Sequence, residues 1–146
     1  MMGVAPKSAP FSMRLSPTVD ALVTEEAVRT RRSKGSVVEA LADEALRARL
    51  FPGIAFRGAD WERRPWVIGT AFDVWQIVEA HRDFGSVERM VEEGSLTERH
   101  IRLALSYCAR FPEEIDEAIA RNRRPLAEVR AEFPFIDAID GEDRPA

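Results

Sequence analysis

The N-terminal third of the chain first alternates apolar and polar residues and then changes to helical spacing. Phe11, Met13 and Leu15 would share one face of a short β-strand, and Ser12 and Arg14 the other. No second strand follows nearby, and one short strand is unstable alone because its backbone groups need a partner. We therefore expect this strand to pair with the same strand of a second copy.

Two amphipathic helices are predicted after the strand. The first opens with Ser16-Pro17, a capping residue followed by proline at the first helical position. The second follows the polar turn 31–36, and either Ser33 or Ser36 would cap it. Backbone N–H groups would then lie beside Lys34, an arrangement that anchors phosphate. The apolar stripes are Val19, Leu22 and Val23 in the first helix, and Val37, Val38, Leu41 and Ala45 in the second.

A strand, helix, turn and helix completed by dimerisation resembles the ribbon-helix-helix DNA-binding module. The resemblance covers residues 11–50 and implies that the polar face of a two-stranded ribbon enters the major groove. The alternative is an ordinary edge strand followed by a solvated basic loop. The predicted DNA-binding residues of this segment are Ser12, Arg14, Arg32, Ser33, Lys34 and Ser36.

Residues 51–124 are predicted to form a second, small domain. The β-prone runs 54–57 and 66–68 predict a hairpin. The segment from Thr70 to Asp73 has capping-box spacing and predicts a helix that ends at Gly85. Further helices are expected to begin at Ser86, Thr97 and Pro112.

The helices joined by residues 93–96 have the spacing of a helix-turn-helix. The second helix would present Arg99 and Arg102 to DNA, with Glu98 on the same exposed side. The alternative is a simple packing turn, since any compact helical domain contains one and Glu92 and Glu93 would repel phosphates.

Composition narrows the class of protein. The 146 residues suit one or two small domains, and an apolar fraction of 45% is normal for a globular chain. The formal net charge of −4 is unevenly distributed, because residues 29–34 are basic without an acid and residues 125–146 are mainly acidic. Residues 1–10 are expected to be disordered and contain no apolar signal core, which favours the cytoplasm. No membrane span is predicted.

Enzymatic chemistry is not indicated. His81 and His100 have no metal-ligand companion three or four residues away, and no nucleophile elbow or phosphate loop exists. Cys108 is the only cysteine and is expected in the core beside Ile101, Ala104 and Leu105. We predict no catalytic residue, metal or cofactor. The tryptophans Trp61, Trp66 and Trp75 are expected to fill a core or hold the hairpin.

A second resemblance covers about residues 51–122. The runs 51–57, 66–70, 73–75, 96–107 and 112–115 resemble the small domain of VapB-type antitoxins that pair with PIN-like ribonuclease toxins. The resemblance implies a helix-turn-helix or winged-helix-like domain with a short β-hairpin, a toxin–antitoxin operon, promoter binding and toxin neutralisation. One departure is that two potential DNA-binding units lie in tandem, so either one is a candidate for dimerisation or toxin contact instead.

The tail, residues 125–146, combines acidity with apolar residues at helical spacing. Leu126, Val129 and Phe133 would share one helical face. Wrapping a groove on a partner is one explanation, and docking back on the second domain is an equal alternative. The resemblance implies that an arginine reaches the toxin's carboxylate cluster, and the candidates are Arg121, Arg123, Arg124 and Arg130. The predicted toxin-binding residues are Arg124, Leu126, Val129, Arg130, Phe133, Phe135 and Ile136.

The predicted protein is a mostly helical homodimer with a ribbon-helix-helix-like N-terminal unit. Its predicted function is an antitoxin that represses its own promoter, with promoter DNA and a cognate PIN-like toxin as partners. The main alternative is a stand-alone ribbon-helix-helix regulator whose second domain senses a ligand or assembles oligomers. An adaptor that binds only protein is the third possibility.

Overall fold

A computed structural model describes residues 8–123 of the chain. This part is mostly helical, as predicted, and divides into two compact units between Leu46 and Arg47. Unit 1 ends at Leu46 and unit 2 begins at Arg47. The described elements are α1 (Pro17–Thr30), α2 (Lys34–Leu50), β1 (Ile54–Arg57), β2 (Arg64–Val67), α3 (Val74–Phe84), α4 (Val87–Glu93), α5 (Glu98–Arg110) and α6 (Pro112–Asn122).

The helix starts in unit 1 follow their capping residues. The Ser16 Oγ accepts the backbone N–H of Val19 at 3.3 Å, and Pro17 opens α1. At the start of α2 the Ser33 Oγ accepts the N–H of Ser36 at 3.1 Å. Ser33 is therefore the cap, and Ser36 belongs to the first turn of the helix.

The predicted strand at residues 11–15 is not formed within the single chain. Residues 8–16 precede α1 without helix or strand. The physical reason is the one that motivated the prediction, because a lone strand has no ladder of hydrogen bonds to join. Pairing with a second copy stays a prediction.

The hairpin of unit 2 forms as an antiparallel pair in which Ile54 lies opposite Val67 and Arg57 opposite Arg64. The second strand therefore begins two residues before the predicted Trp66 and ends one residue before Ile68. A turn containing Gly69 follows at once, with φ of 87°, a conformation that glycine adopts without a steric cost.

The cap of α3 differs from the prediction. Thr70 was expected to cap this helix, but Asp73 does so, in a capping box with Gln76. The Gln76 Oε1 accepts the N–H of Asp73 at 2.8 Å. The Thr70 hydroxyl instead donates to the carbonyl of Val67 at 2.8 Å and closes the preceding turn. An antiparallel β-bridge between Trp66 and Asp73 extends the hairpin pairing up to Asp73. The helix therefore begins at Val74, later in the chain than predicted.

The core of unit 2 lies between α3, α5 and α6, with the hairpin and α4 completing it. Leu105 and Cys108 pack against the core as predicted but are only partly buried, whereas α5 turns Tyr107, which the predicted stripe omitted, fully inward. The buried members are Ile54, Val67, Val74, Ile77, Val78, Met90, Ile101, Ala104, Tyr107, Ile115 and Ile119. Among residues 8–123, no helix has both the length and the apolar character needed to cross a bilayer.

Candidate nucleic-acid interface

The turn between α1 and α2 holds a basic side chain in a conformation that normally favours glycine. Arg31 ends α1 with φ of 55° and ψ of 41°, the left-handed region. It is the only non-glycine residue with positive φ in the described part of the chain. Glycine is usual at this helix-ending position, and another residue there costs on the order of 1 kcal/mol. Backbone strain of this kind is common at functional sites. Here the strained position carries a positively charged side chain next to Arg32.

The start of α2 collects three of the predicted DNA-binding residues. Ser33, Lys34 and Ser36 are all exposed. The Lys34 ammonium forms an ion pair with Asp20 of α1, and each side chain is about half exposed, at 51% and 50%. An ion pair this exposed contributes little free energy, so a phosphate can replace the Asp20 carboxylate at small cost.

Ser12 and Arg14, the predicted base-reading residues, are both exposed in the segment that precedes α1. Arg32 is exposed in the turn, and its backbone N–H donates to the carbonyl of Ala27 at 3.1 Å. The six predicted residues of unit 1 thus fall into two groups, one before α1 and one at the α1–α2 turn.

The apolar residues of unit 1 are mostly uncovered. Its buried core consists of Val23, Ala27 and Val37, with Leu15 and Val38 packed against it. Large side chains at the predicted inner positions remain accessible. These are Phe11 at 82% exposure, Met13 at 58%, Leu22 at 60%, Leu41 at 48% and Val19 at 44%.

The two predicted DNA-binding residues of unit 2 lie on the exposed face of α5. Arg99 and Arg102 are both exposed. The Arg102 Nε donates to the Glu98 Oε1 at 2.6 Å, one helical turn away. With side chains 60% and 62% exposed, this pair is as weak as the Lys34–Asp20 pair, so pairing alone does not distinguish α5 from the α1–α2 turn as a phosphate contact.

A polar cluster inside unit 2, formed by Arg47, Tyr107 and Glu114, was not predicted from the sequence. The Arg47 Nη1 donates to the Tyr107 hydroxyl at 2.8 Å and also pairs with Glu114. The Tyr107 hydroxyl donates to the Glu114 Oε1 at 3.1 Å, and the Arg47 guanidinium lies 4.0 Å from the centre of the Phe111 ring. Burial raises the pKa of Tyr107 well above its ordinary value of 10.0. Arg47 is 60 residues from Tyr107 and 67 residues from Glu114 along the chain. No local sequence pattern therefore predicts these contacts.

A second unpredicted cluster joins the hairpin to α3. Asp73 is 5% exposed and accepts from the Nε atoms of Arg57 and Arg64, each at 2.8 Å. The Arg57 guanidinium also lies 5.2 Å from the centre of the Trp66 ring. One carboxylate thus caps the helix and pairs with both strands, so this cluster holds the hairpin against the start of α3.

Two of the side chains considered for reactivity, His100 and Cys108, have structural surroundings. The His100 Nδ1 accepts the N–H of Thr97 at 3.3 Å and completes the capping box of α5. Burial raises the pKa of the Cys108 thiol, which disfavours the reactive thiolate. Within residues 8–123, no group of three or more His, Cys, Asp or Glu side chains is placed to hold a metal ion. Trp61 was expected in a core or bracing the hairpin, but it is 85% exposed in the turn that joins β1 and β2.

The predicted toxin-binding residues lie outside the described residues, since all of them belong to the segment 124–136. The chain matches no protein-family model, and comparison with curated proteins and solved structures found no significant similarity.

Proposed function

We propose that unit 1 is a dimeric DNA-binding module of the ribbon-helix-helix type and that the chain is an antitoxin that represses its own promoter. The observation that carries the proposal is the exposed apolar surface of unit 1. Residues 8–46 bury three apolar side chains within one copy, while Phe11, Met13 and Leu22 remain more than half exposed.

A unit of this size with so small a core is not expected to be stable alone. Unit 1 spans residues 1–46, close to the limit of about 40 residues below which domains usually need disulfides, metals or oligomerisation. Unit 1 has no cysteine, because Cys108 is the only one in the chain. The exposed apolar side chains favour oligomerisation, since a second copy would cover those before α1 and supply the strand partner that residues 11–15 lack.

The polar groups of unit 1 suit the opposite face of such a dimer. In a paired ribbon, Ser12 and Arg14 would alternate away from the apolar face and reach base edges in the major groove. Arg31 and Lys34 at the α1–α2 turn would hold phosphates, which fixes the register on DNA. The strain at Arg31 supports a phosphate-binding role for this turn, because a glycine would relieve the backbone strain but could not pair with a phosphate.

The antitoxin part of the proposal rests on the resemblance of residues 51–122 and on the composition of the tail. Unit 2 is a compact helical domain with a β-hairpin, which agrees with the coarse shape that the resemblance implies. In the proposal, unit 1 binds the promoter and the tail holds the toxin.

The DNA-binding part is tested by titrating the full chain against labelled promoter fragments. We expect Arg14→Ala to weaken binding to the preferred site by about 1–3 kcal/mol and to relax its sequence preference. Lys34→Ala should weaken all sequences alike and reduce the slope of log K against log salt by about one. Arg102→Ala, in unit 2, is the matched charge control. If Arg14→Ala binds DNA like the parent, or if Arg102→Ala weakens binding more than Arg14→Ala, unit 1 does not recognise the DNA sequence.

The toxin-binding part is tested by removing residues 125–146. We expect the shortened chain to retain dimerisation and DNA binding and to lose neutralisation of the product of a neighbouring PIN-like gene. Growth rescue and co-purification measure the loss. Rescue by the shortened chain would place the toxin contact elsewhere, and binding of neither toxin nor DNA would show that the tail is needed for folding.

A further inference from the structure

A groove of about 270 Å³ runs along the outer side of α3 in unit 2. The inner side of α3 is buried in the core, whereas this side is open to solvent. Its apolar wall is built by Phe72, Trp75 and Ala80 with Leu96 from the turn between α4 and α5. Glu79 and Asp83 line the groove toward the C-terminal end of α3.

The described chain ends at the acidic end of this groove. Arg123, which follows α6, forms an ion pair with Glu79, and its Nη2 donates to the Asp83 Oδ1 at 3.3 Å. These are the two carboxylates that line the groove. The remaining 23 residues of the chain therefore start beside the groove, and their first apolar residue, Leu126, follows three positions later.

We propose that residues 126–133 of the same chain dock in the α3 groove through Leu126, Val129 and Phe133. These residues recur at i, i+3 and i+7, which places them on one face if the segment is helical. An apolar face of that kind fits an apolar groove on a helical domain, as in helix-in-groove recognition.

The dimensions of the groove match those of the segment. Three extended residues after Arg123 span up to about 10 Å, so Leu126 reaches the end of the groove near Asp83. From there, a helix covers about 10 Å between Leu126 and Phe133, and α3 covers about 12 Å between Asp83 and Trp75. The segment would run antiparallel to α3, with Val129 near Ala80 and Phe133 near Trp75.

The docked state has a regulatory consequence, which rests on the proposed function. The residues that fill the groove are those proposed to bind the toxin. The groove and the toxin would then compete for one segment, so that the apolar face of the tail is covered whenever toxin is absent. This arrangement would limit exposure of the tail to proteases and non-specific partners.

Disulfide trapping in the full chain, without DNA or toxin, tests the docking. Ala80→Cys with Val129→Cys, in a Cys108→Ser background, places one thiol in the groove and one on the tail. The control replaces Ala80→Cys by Glu113→Cys, on the exposed start of α6. That position is about 15 Å of helix from Arg123, and the six residues to Val129 span up to about 20 Å, so a free tail reaches it too.

We expect the groove pair to oxidise about tenfold faster than the control pair, because docking raises the effective concentration of the two thiols. Adding Leu126→Ser and Phe133→Ser should reduce the groove rate to the control rate. A second pair, Gln76→Cys with Glu132→Cys, repeats the measurement one turn along and guards against a local defect at Ala80.

Non-reducing electrophoresis and mass spectrometry identify the product. Equal rates for groove and control pairs, or rates that ignore the two serine substitutions, would overturn the proposal. Cross-links between chains rather than within one would also overturn it, since the occupant would then be the tail of another copy. Because neither DNA nor toxin is present, a negative result leaves the proposed DNA-binding function intact.

Discussion

Leu22 provides the most direct test of dimerisation through unit 1. It lies on α1 beside the buried Val23 and one turn from Val19, yet 60% of its surface is exposed in the single chain. A second copy that covers this face would bury the remaining surface. Replacing Leu22→Gln keeps helix propensity and size similar while removing the apolar gain.

The size of the effect follows from the exposed fraction. Full burial of a leucine side chain is favourable by about 1.5–3 kcal/mol, so burial of the exposed 60% contributes about 1–2 kcal/mol per copy. A symmetric dimer contains the site twice, which gives about 2–4 kcal/mol. Since about 1.4 kcal/mol corresponds to a tenfold change, the dimer dissociation constant should rise roughly 30- to 700-fold.

Analytical ultracentrifugation of the full chain over a dilution series measures this constant. Val28→Gln is the matched control, because Val28 is 75% exposed on the same helix but points about 120° away from Leu22. We expect Val28→Gln to dimerise like the parent. A monomeric parent chain, or equal weakening by both substitutions, would refute the assignment of this face as the dimer interface.

Two further predictions concern strain and burial. Arg31→Gly should raise the free energy of unfolding of the dimer by about 0.5–1 kcal/mol in thermal or urea melts, because glycine adopts positive φ freely. The same substitution should weaken DNA binding at low salt, because it removes a positive charge. A less stable dimer, or an unaltered DNA affinity, would contradict the role assigned to this turn. Tyr107 is the only tyrosine, and its raised pKa means that the unfolded chain releases the phenolic proton from about pH 10 while the folded chain retains it. Stability should therefore fall as pH rises above about 10, by up to about 1.4 kcal/mol per pH unit, and Tyr107→Phe should lack this component. Urea melts across this range and phenolate absorbance of the native protein measure both parts, and phenolate formation in the folded state near pH 10 would contradict the buried environment.

Local sequence signals predicted the element boundaries of unit 2 where one residue type has one favourable position. Ser86 and Thr97 cap α4 and α5, Gly85 ends α3, and Pro112 begins α6, as predicted. These signals act within a single helical turn, through side-chain to backbone hydrogen bonds or a permitted φ angle, so they can be read without knowing the fold.

Predictions failed where two local signals competed and a distant contact decided between them. The hydroxyl of Thr70 and the carboxylate of Asp73 both suit a helix cap. Asp73 prevails because the hairpin places Arg57 and Arg64 against its carboxylate, and Thr70 then closes the turn before it. No spacing rule contains that information, since Arg57 lies 16 residues from Asp73.

The sequence by itself determined the helical class, most of the helix caps and the basic stretch at residues 29–34, because each depends on near neighbours in the chain. Tertiary structure alone decided that Arg47, Tyr107 and Glu114 meet, that α5 turns Tyr107 further inward than Cys108, and that Arg123 pairs with Glu79 beside the α3 groove. Those outcomes depend on how helices pack, and packing brings together side chains whose separation along the chain carries no periodic signal.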